Sequence, residues 1–297
     1  MNKIATRTLE IAYEEFGGSN HPVVVLLHGW PDDAHTWSQV APLLAQAGFR
    51  VLCPYVRGFG GTRFVSKLTP RSGQLSAFGS DLLDFADALK LGTFSVVGHD
   101  WGARAAYIAA ALKPERISAC VSIAVGWGTN DPGQSLSWQQ ARNYWYQWLF
   151  STTRGERALR ENRFDLTRFL WSTWAPSWKF TESEFNETAV SFENPDWVEI
   201  TLSSYRHRWG WAPGDPAYER VEAALVPTPR ISIPTLMIHG EEDGANTAES
   251  SEHKEELFSG PYSRILVPDA GHFVQREKPS VVAKSTLDWL DAYDRER

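Results

Sequence analysis

The stretch Phe94-Ser95-Val96-Val97-Gly98-His99-Asp100-Trp101-Gly102-Ala103-Arg104-Ala105-Ala106-Tyr107 constrains the fold more than any other in this 297-residue chain. Residues 94–97 are a short apolar, β-branched-rich run, the pattern of a strand covered on both faces. From 103 to 112 the composition turns to alanine, a strong helix former. The strand therefore runs into the helix without a loop, through Gly98-x-Asp100-x-Gly102. That is the small-x-acid-x-small spacing of a nucleophile elbow, with aspartate where serine is usual.

The spacing has a physical cause. A side chain on a one-residue hinge is held above the sheet in a strained backbone conformation. Gly98 and Gly102 remove the Cβ atoms that would collide with the neighbouring strand and helix. The backbone N–H of Trp101 opens the helix, where the positive end of the dipole favours an anion. Aspartate before a helix is also a common N-cap. The motif acquires chemical meaning only from partners elsewhere in the chain.

Residues 4–11 and 12–16 alternate weakly up to Gly17-Gly18, which fits an opening β-hairpin. Residues 23–27 carry the strongest strand signal and end at His28-Gly29-Trp30-Pro31. Helical spacing over 37–47 stops at Gly48. A strand over 50–54 leads to the turn Arg57-Gly58-Phe59-Gly60-Gly61. Residues 75–91 form a patterned helix with Leu82, Phe85, Ala86 and Leu89 on one side. Strands follow at 117–125, at 234–240 and at 263–268, and a helix over 281–290 closes the chain. Strands alternating with helices predict an α/β fold: a mostly parallel central sheet with helices on both faces. Ligands on such sheets bind at the carboxyl ends of the strands, where His28-Gly29 and Asp100 fall.

After residue 125 strand signals fade and tryptophans accumulate. The pattern predicts an inserted helical cap over 129–227, with turn clusters at 213–216 and 227–229. Residues 1–128 and 228–297 then form the core domain, consistent with a length prior of about two domains.

A nucleophile needs a base, the base an orienting acid, and an oxyanion needs donors. His272 follows the last strand and, of eight histidines, alone has that position. Asp243 follows the strand at 234–240 within Gly240-Glu241-Glu242-Asp243-Gly244. Glu241 and Glu242 are competing acids; Asp243 is preferred because Gly244 lets the loop turn back. The backbone N–H groups of Trp30 and Trp101 are the candidate oxyanion donors.

Composition narrows the partners. With 42% apolar residues the chain can bury a large core, and its two cysteines, Cys53 and Cys120, are expected as buried thiols. A net charge of −7 argues against nucleic acid or anionic lipid. No run approaches the ~20 apolar residues of a membrane span, and residues 1–10 lack the apolar core of a signal peptide. A cytoplasmic location is the expectation, which makes the sequon Asn186-Glu187-Thr188 irrelevant. No metal is expected, for want of clustered His/Cys spacing. No cofactor is expected either, since Gly58-Phe59-Gly60-Gly61 lacks the strand-to-helix context of a dinucleotide fingerprint.

Taken in this order, the pieces resemble the α/β-hydrolase superfamily, and within it the epoxide hydrolase and dehalogenase branch with an aspartate nucleophile. His28-Gly29-Trp30-Pro31 resembles that branch's oxyanion loop, and Arg57-Gly58-Phe59-Gly60 its arginine-glycine turn. Gly98-His99-Asp100-Trp101-Gly102 resembles the elbow, and Asp269-Ala270-Gly271-His272-Phe273 the histidine loop. One departure is Tyr55, where the family usually has an acid two residues before the arginine. The resemblance implies the α/β-hydrolase fold, with Asp100 as nucleophile, His272 as base and Asp243 as its acid.

The cap separates the leaving groups. Asn143-Tyr144-Trp145-Tyr146-Gln147-Trp148 and Ser204-Tyr205-Arg206-His207 resemble epoxide hydrolases, whose two cap tyrosines would be Tyr146 and Tyr205, with Tyr144 a close competitor. As neutral phenols they would stabilise a developing alkoxide. The alternative is a haloalkane or haloacid dehalogenase, with Trp101 and Trp148 as possible halide donors. The haloacetate subgroup's pattern is broken at three places, Trp101, Gln147 and Ser122. A non-catalytic receptor on the same fold is a third reading, which an intact triad disfavours. The expected substrate is a small apolar or aromatic epoxide with water, lined in part by His28 and Trp148. Whether the protein is a monomer or a homodimer is not legible in the sequence.

Overall fold

Two antiparallel strands, β1 (Asn2–Ala5) and β2 (Leu9–Phe16), open the sheet. Their turn falls at residues 6–8, earlier than the sequence pattern put it. The Thr6 hydroxyl accepts from the N–H groups of Thr8 and Leu9 at 3.3 and 3.0 Å and closes the turn locally. The computed structural model describes residues 1–129 and 135–293. Residues 130–134 of the expected cap and 294–297 of the expected core lie outside the described residues.

β3 (Val23–Leu27) is followed by α1 (Ala41–Gln46) and β4 (Arg50–Pro54). The helix expected over 37–47 is shorter than its pattern. Ala34–Trp37 is a 3-10 turn capped by Asp33, and Pro42, in the first turn of α1, starts the helix afresh. β5 (Arg63–Phe64) adds two residues beside β2. α2 (Leu75–Ala88) stops short of 91, because Lys90 takes φ +55°, which a right-handed helix does not continue through. β6 (Phe94–His99), α3 (Trp101–Leu112) and β7 (Ile117–Ile123) complete the first half.

Next come α4 (Trp138–Asn143), α5 (Trp145–Phe150), α6 (Thr153–Trp174), α7 (Glu182–Ala189), α8 (Trp197–Arg208) and α9 (Glu219–Ala224). Among the described residues this interval holds no strand. Thr152 caps α6, and a full capping box of Thr181 and Glu184 starts α7. The sheet resumes with β8 (Thr235–Gly240) and β9 (Tyr262–Val267), and the chain ends in α10 (Val274–Glu277) and α11 (Pro279–Tyr293).

The strand order is β1-β2-β4-β3-β6-β7-β8-β9, with β5 paired to β2. From β4 to β9 every pairing is parallel. β6, β7 and β8 are buried at every residue, because α2 and α3 cover one side while α1 and α11 pack together on the other. Both cysteines are buried and unpaired. No helix among the described residues is long and apolar enough to cross a membrane.

Candidate active site

β6 delivers Asp100 to the N-terminus of α3 in a conformation few side chains accept, φ +50° and ψ −112°. Such a residue costs about 1–3 kcal/mol and persists only where its surroundings hold it. Two glycines do so. A Cβ at Gly98 would lie 2.2 Å from the Gly102 carbonyl oxygen, and one at Gly102 would lie 2.2 Å from the Leu27 carbonyl oxygen. Asp100 is 8% exposed, and its Oδ1 accepts from the backbone N–H of Trp30 at 2.9 Å. Trp101 is the first residue of α3, so its N–H belongs to the unpaired donors of a helix start.

His272 comes from the loop after β9. Its Nδ1–H donates to Asp243 Oδ2 at 2.9 Å, which leaves Nε2 unprotonated in the neutral ring. Nε2 is buried, has no hydrogen-bond partner among the described residues, and lies 4.0 Å from Asp100 Oδ2. The other Asp243 oxygen accepts from the N–H groups of Ala245 and Asn246, each at 2.8 Å. His239 adds a further contact, with Nε2 at 3.2 Å from Asp243 Oδ2. Against the desolvation of burial, His272 and His239 hold Asp243 well below the usual carboxylate range. Burial likewise opposes the His272 imidazolium, yet Asp243 and Asp100 together raise its pKa above 6.5. Glu241 points to solvent and Glu242 accepts from Ser177, so neither competing acid meets the histidine.

The two expected tyrosines also converge. Tyr146 stacks on Trp30 at 5.5 Å between ring centroids, and Tyr205 meets both, at 5.4 Å from each. Burial raises the pKa of each phenol, so both stay protonated. Gln147 Nε2 donates to the Tyr146 oxygen at 2.8 Å, and Trp209 Nε1 donates to Gln147 Oε1 at 2.8 Å, fixing that amide. The bond from Gln147 uses a lone pair of the Tyr146 oxygen and not its proton. Tyr144 is committed elsewhere, donating to Asn246 Oδ1 at 2.8 Å.

Two expected substrate contacts are not brought to this group. His28 is buried beneath it, its Nδ1–H donating to the Gly29 carbonyl and its Nε2 accepting from the Val56 N–H. Both nitrogens are used to hold the loop, and burial lowers the ring's pKa. Trp148 packs on Trp209 and Trp211, with its indole N–H spent on the Ala141 carbonyl. The turn of α5 that points Tyr146 inward points Trp148 to the side. The contact questioned by Tyr55 is met differently: Arg57 forms a two-pronged pair with Asp81 and donates to Tyr218 Oη.

Several members of the site were beyond reach of residue type alone. The Trp174 carbonyl, at the end of α6, accepts from the N–H groups of both His272 and Gly244. One residue of α6 thereby ties down both loops of the acid–histidine pair. His99 Nε2–H donates to the His272 carbonyl at 2.9 Å, and burial lowers its pKa to about 4, so it stays neutral. A main-chain carbonyl leaves no signal in a sequence. Among the described residues no cluster of His, Cys, Asp and Glu could hold a metal ion.

Comparison with known proteins gives the chain a family. The family model described as alpha/beta hydrolase fold matches residues 22–279. The chain is 27% identical to epoxide hydrolase A of Mycobacterium tuberculosis over 97% of this chain and 96% of that one. It is 26% identical to an epoxide hydrolase of Caballeronia sordidicola, over 98% and 93%. A crystal structure from Klebsiella pneumoniae, of a protein provisionally assigned as an epoxide hydrolase, superposes with a TM-score of 0.92. It shares 38% identity over 97% of this chain and 96% of that one.

Proposed function

The chain belongs to the alpha/beta hydrolase fold family and is an epoxide hydrolase-like enzyme, and from that premise we propose that it opens an epoxide to a vicinal diol in two covalent steps. The observation that carries this reading is the pair of buried, protonated tyrosines facing Trp30 and the strained Asp100 beside them. Asp100 attacks an epoxide carbon, the C–O bond breaks, and Tyr146 and Tyr205 donate to the departing oxygen, one of them giving up its proton. An alkyl ester of Asp100 results. His272 Nε2 then takes a proton from water, whose oxygen attacks the Asp100 carbonyl carbon. The N–H groups of Trp30 and Trp101 stabilise the tetrahedral oxyanion; on its collapse the departing diol oxygen takes the proton held on His272, and the proton of the carboxylic acid left at Asp100 returns to the tyrosinate, which restores the enzyme. The 4.0 Å between Nε2 and Asp100 Oδ2 is too long for direct pairing and leaves the base to water.

In this proposal residues 129–227 are the lid over a core of 1–128 and 228–297, the substrate is small with apolar or aromatic bulk, and the protein works in the cytoplasm. A single turnover in 18O-labelled water tests the ester. The reading predicts a first diol with unlabelled oxygen from Asp100 and label left in the protein. Label appearing directly in the first diol would contradict it.

A second reading has one observation in its favour. The indole N–H groups of Trp101 and Trp174 are buried without partners among the described residues, and Trp174 packs at 5.1 Å from the His272 ring. Two such donors would suit a halide leaving group. Halide release from a bromoalkane at rates matching epoxide opening would favour a dehalogenase.

A further inference from the structure

Ring opening leaves a negative charge on a buried tyrosine, where desolvation opposes it. Arg208, in the last turn of α8, is placed to meet that charge. Its Cζ stands 5.0 Å from the centroid of the Tyr205 ring, three residues back along the same helix. Among the described residues its Nε and Nη2 are buried without a partner, and no carboxylate pairs with the guanidinium. Other arginines over aromatic rings are held by carboxylates: Arg57 by Asp81, Arg71 by Asp196, Arg168 by Glu182 and Arg276 by Asp32. Arg206, two residues before Arg208, donates to the Phe150 carbonyl and pairs with Glu156. The helix dipole favours a cation at this end of α8. It asks only for charge nearby, however, and not for two guanidinium nitrogens turned into the protein.

A cation without a partner is unfavourable in a buried setting, and the face of a neutral phenol compensates it only in part. The balance changes when Tyr205 ionises. Before the ring opens, the charge sits on the Asp100 carboxylate; once the ester forms, it sits on the tyrosine that gave up its proton. Arg208 therefore attracts the product of the step more than the resting protein, the condition for an interaction that speeds a reaction. The surroundings of the phenols agree in sign. Burial, then Tyr146 and Asp100, raise the Tyr205 pKa, and Arg208 opposes them. Burial, then Asp100 and Tyr144, raise that of Tyr146, while Arg208 and the Gln147 amide oppose them. Arg104, the other buried cation with Tyr205 among its electrostatic neighbours, donates to Thr129. Tyr146 thus has a neutral amide at its oxygen, whereas Tyr205 has a full positive charge over its ring.

We propose that Arg208 is a positioning residue for the alkylation step: it stabilises the charge that ring opening leaves on Tyr205, and Tyr205 is the tyrosine that gives up its proton. The proposal rests on the epoxide-opening reading. A bond forms between an Asp100 oxygen and a ring carbon, and the ring C–O bond breaks. The Tyr205 proton passes to the freed oxygen, and its electron pair stays on the phenol beneath the guanidinium. Tyr146 donates to the same oxygen and keeps its proton.

The test takes His272→Ala as parent, because its ester accumulates and can be timed with styrene oxide by rapid quenching and intact-protein mass spectrometry. Arg208→Gln is expected to slow ester formation roughly 10- to 100-fold, the scale of an opposite charge within ~4–6 Å. Arg208→Lys, which keeps the charge, is expected to restore most of the rate. Arg208→Met gives the neutral readout if Arg208→Gln does not fold. Added to Tyr205→Phe, Arg208→Gln is expected to slow the step no further; added to Tyr146→Phe, it keeps its full effect. The same slowing by Arg208→Gln in all three backgrounds would mark a structural role and overturns the proposal. Ester formation at the parent rate in the neutral Arg208 variants, with Tyr205→Phe slow, also overturns it and leaves the epoxide reading standing. Ester formation at the parent rate in both Tyr205→Phe and Tyr146→Phe, or no ester in the parent, overturns the epoxide reading and the proposal with it.

Discussion

Tyr205 and Tyr146 act, in this account, through protons that burial keeps on their oxygens. Tyr205→Phe keeps the ring against Trp30 and removes only the donor. We expect kcat for an aryl epoxide to fall on the order of 10²-fold, the scale of one preorganised donor, with Tyr144→Phe far milder because that hydroxyl serves Asn246. A larger loss from Tyr144 than from Tyr146 would reverse the assignment. His272 sets the pH dependence. Its pKa is raised above 6.5, and the base must be neutral, so kcat falls with decreasing pH along a limb above the ordinary histidine value. Asp243→Asn removes a charge that raises the pKa while burial still opposes it, so the limb moves to lower pH; an unmoved limb would count against the pair. At this scale the sequence was informative where spacing dictates direction. Asp100 could be read because a hinge of one residue points only one way. His28 and Trp148 could not, since adjacency to a motif says nothing of where a ring's nitrogens find partners.

The elbow is the element on which the site depends. Gly98→Ala would drive a Cβ to 2.2 Å from the Gly102 carbonyl, and neither backbone can yield without moving β6 or α3. The expected cost is above ~3 kcal/mol, measured as a lower midpoint in urea. A midpoint like the wild type's would show that the hinge is looser than described. Strands were the most legible elements: 23–27 and 50–54 coincide with β3 and β4, because continuous apolar runs between turn residues suit only a buried strand. Helix ends were less so. α1 starts afresh at Pro42 and α2 stops before Lys90, each a local backbone constraint that apolar periodicity does not register.

Across the whole molecule, the helical interval 138–224 and the rest of the chain are joined by buried polar contacts that neither part predicts alone. Trp30 Nε1 donates to Thr201 Oγ1 at 3.0 Å, Trp171 Nε1 to the Pro31 carbonyl at 2.8 Å, and Arg276 pairs with Asp32 while donating to Thr188. Thr201→Val keeps the shape and leaves the Trp30 indole N–H buried without an acceptor. The expected loss is about 1–3 kcal/mol, in a single thermal transition shared by both halves; two separate transitions would show the lid folding independently. The helical character of residues 138–224 was readable from missing strand signals, but these contacts span 88 to 244 positions along the chain, and no local pattern encodes such distances.

The ester on Asp100 is the intermediate on which the proposed chemistry turns. Intact-protein mass spectrometry of His272→Ala, incubated with an aryl epoxide, tests it most directly. With the base gone, the first step proceeds and the second stalls, so the protein is expected to gain the mass of the whole epoxide, with no such gain in His272→Ala carrying Asp100→Ala. An unmodified His272→Ala that still makes diol would contradict the covalent mechanism.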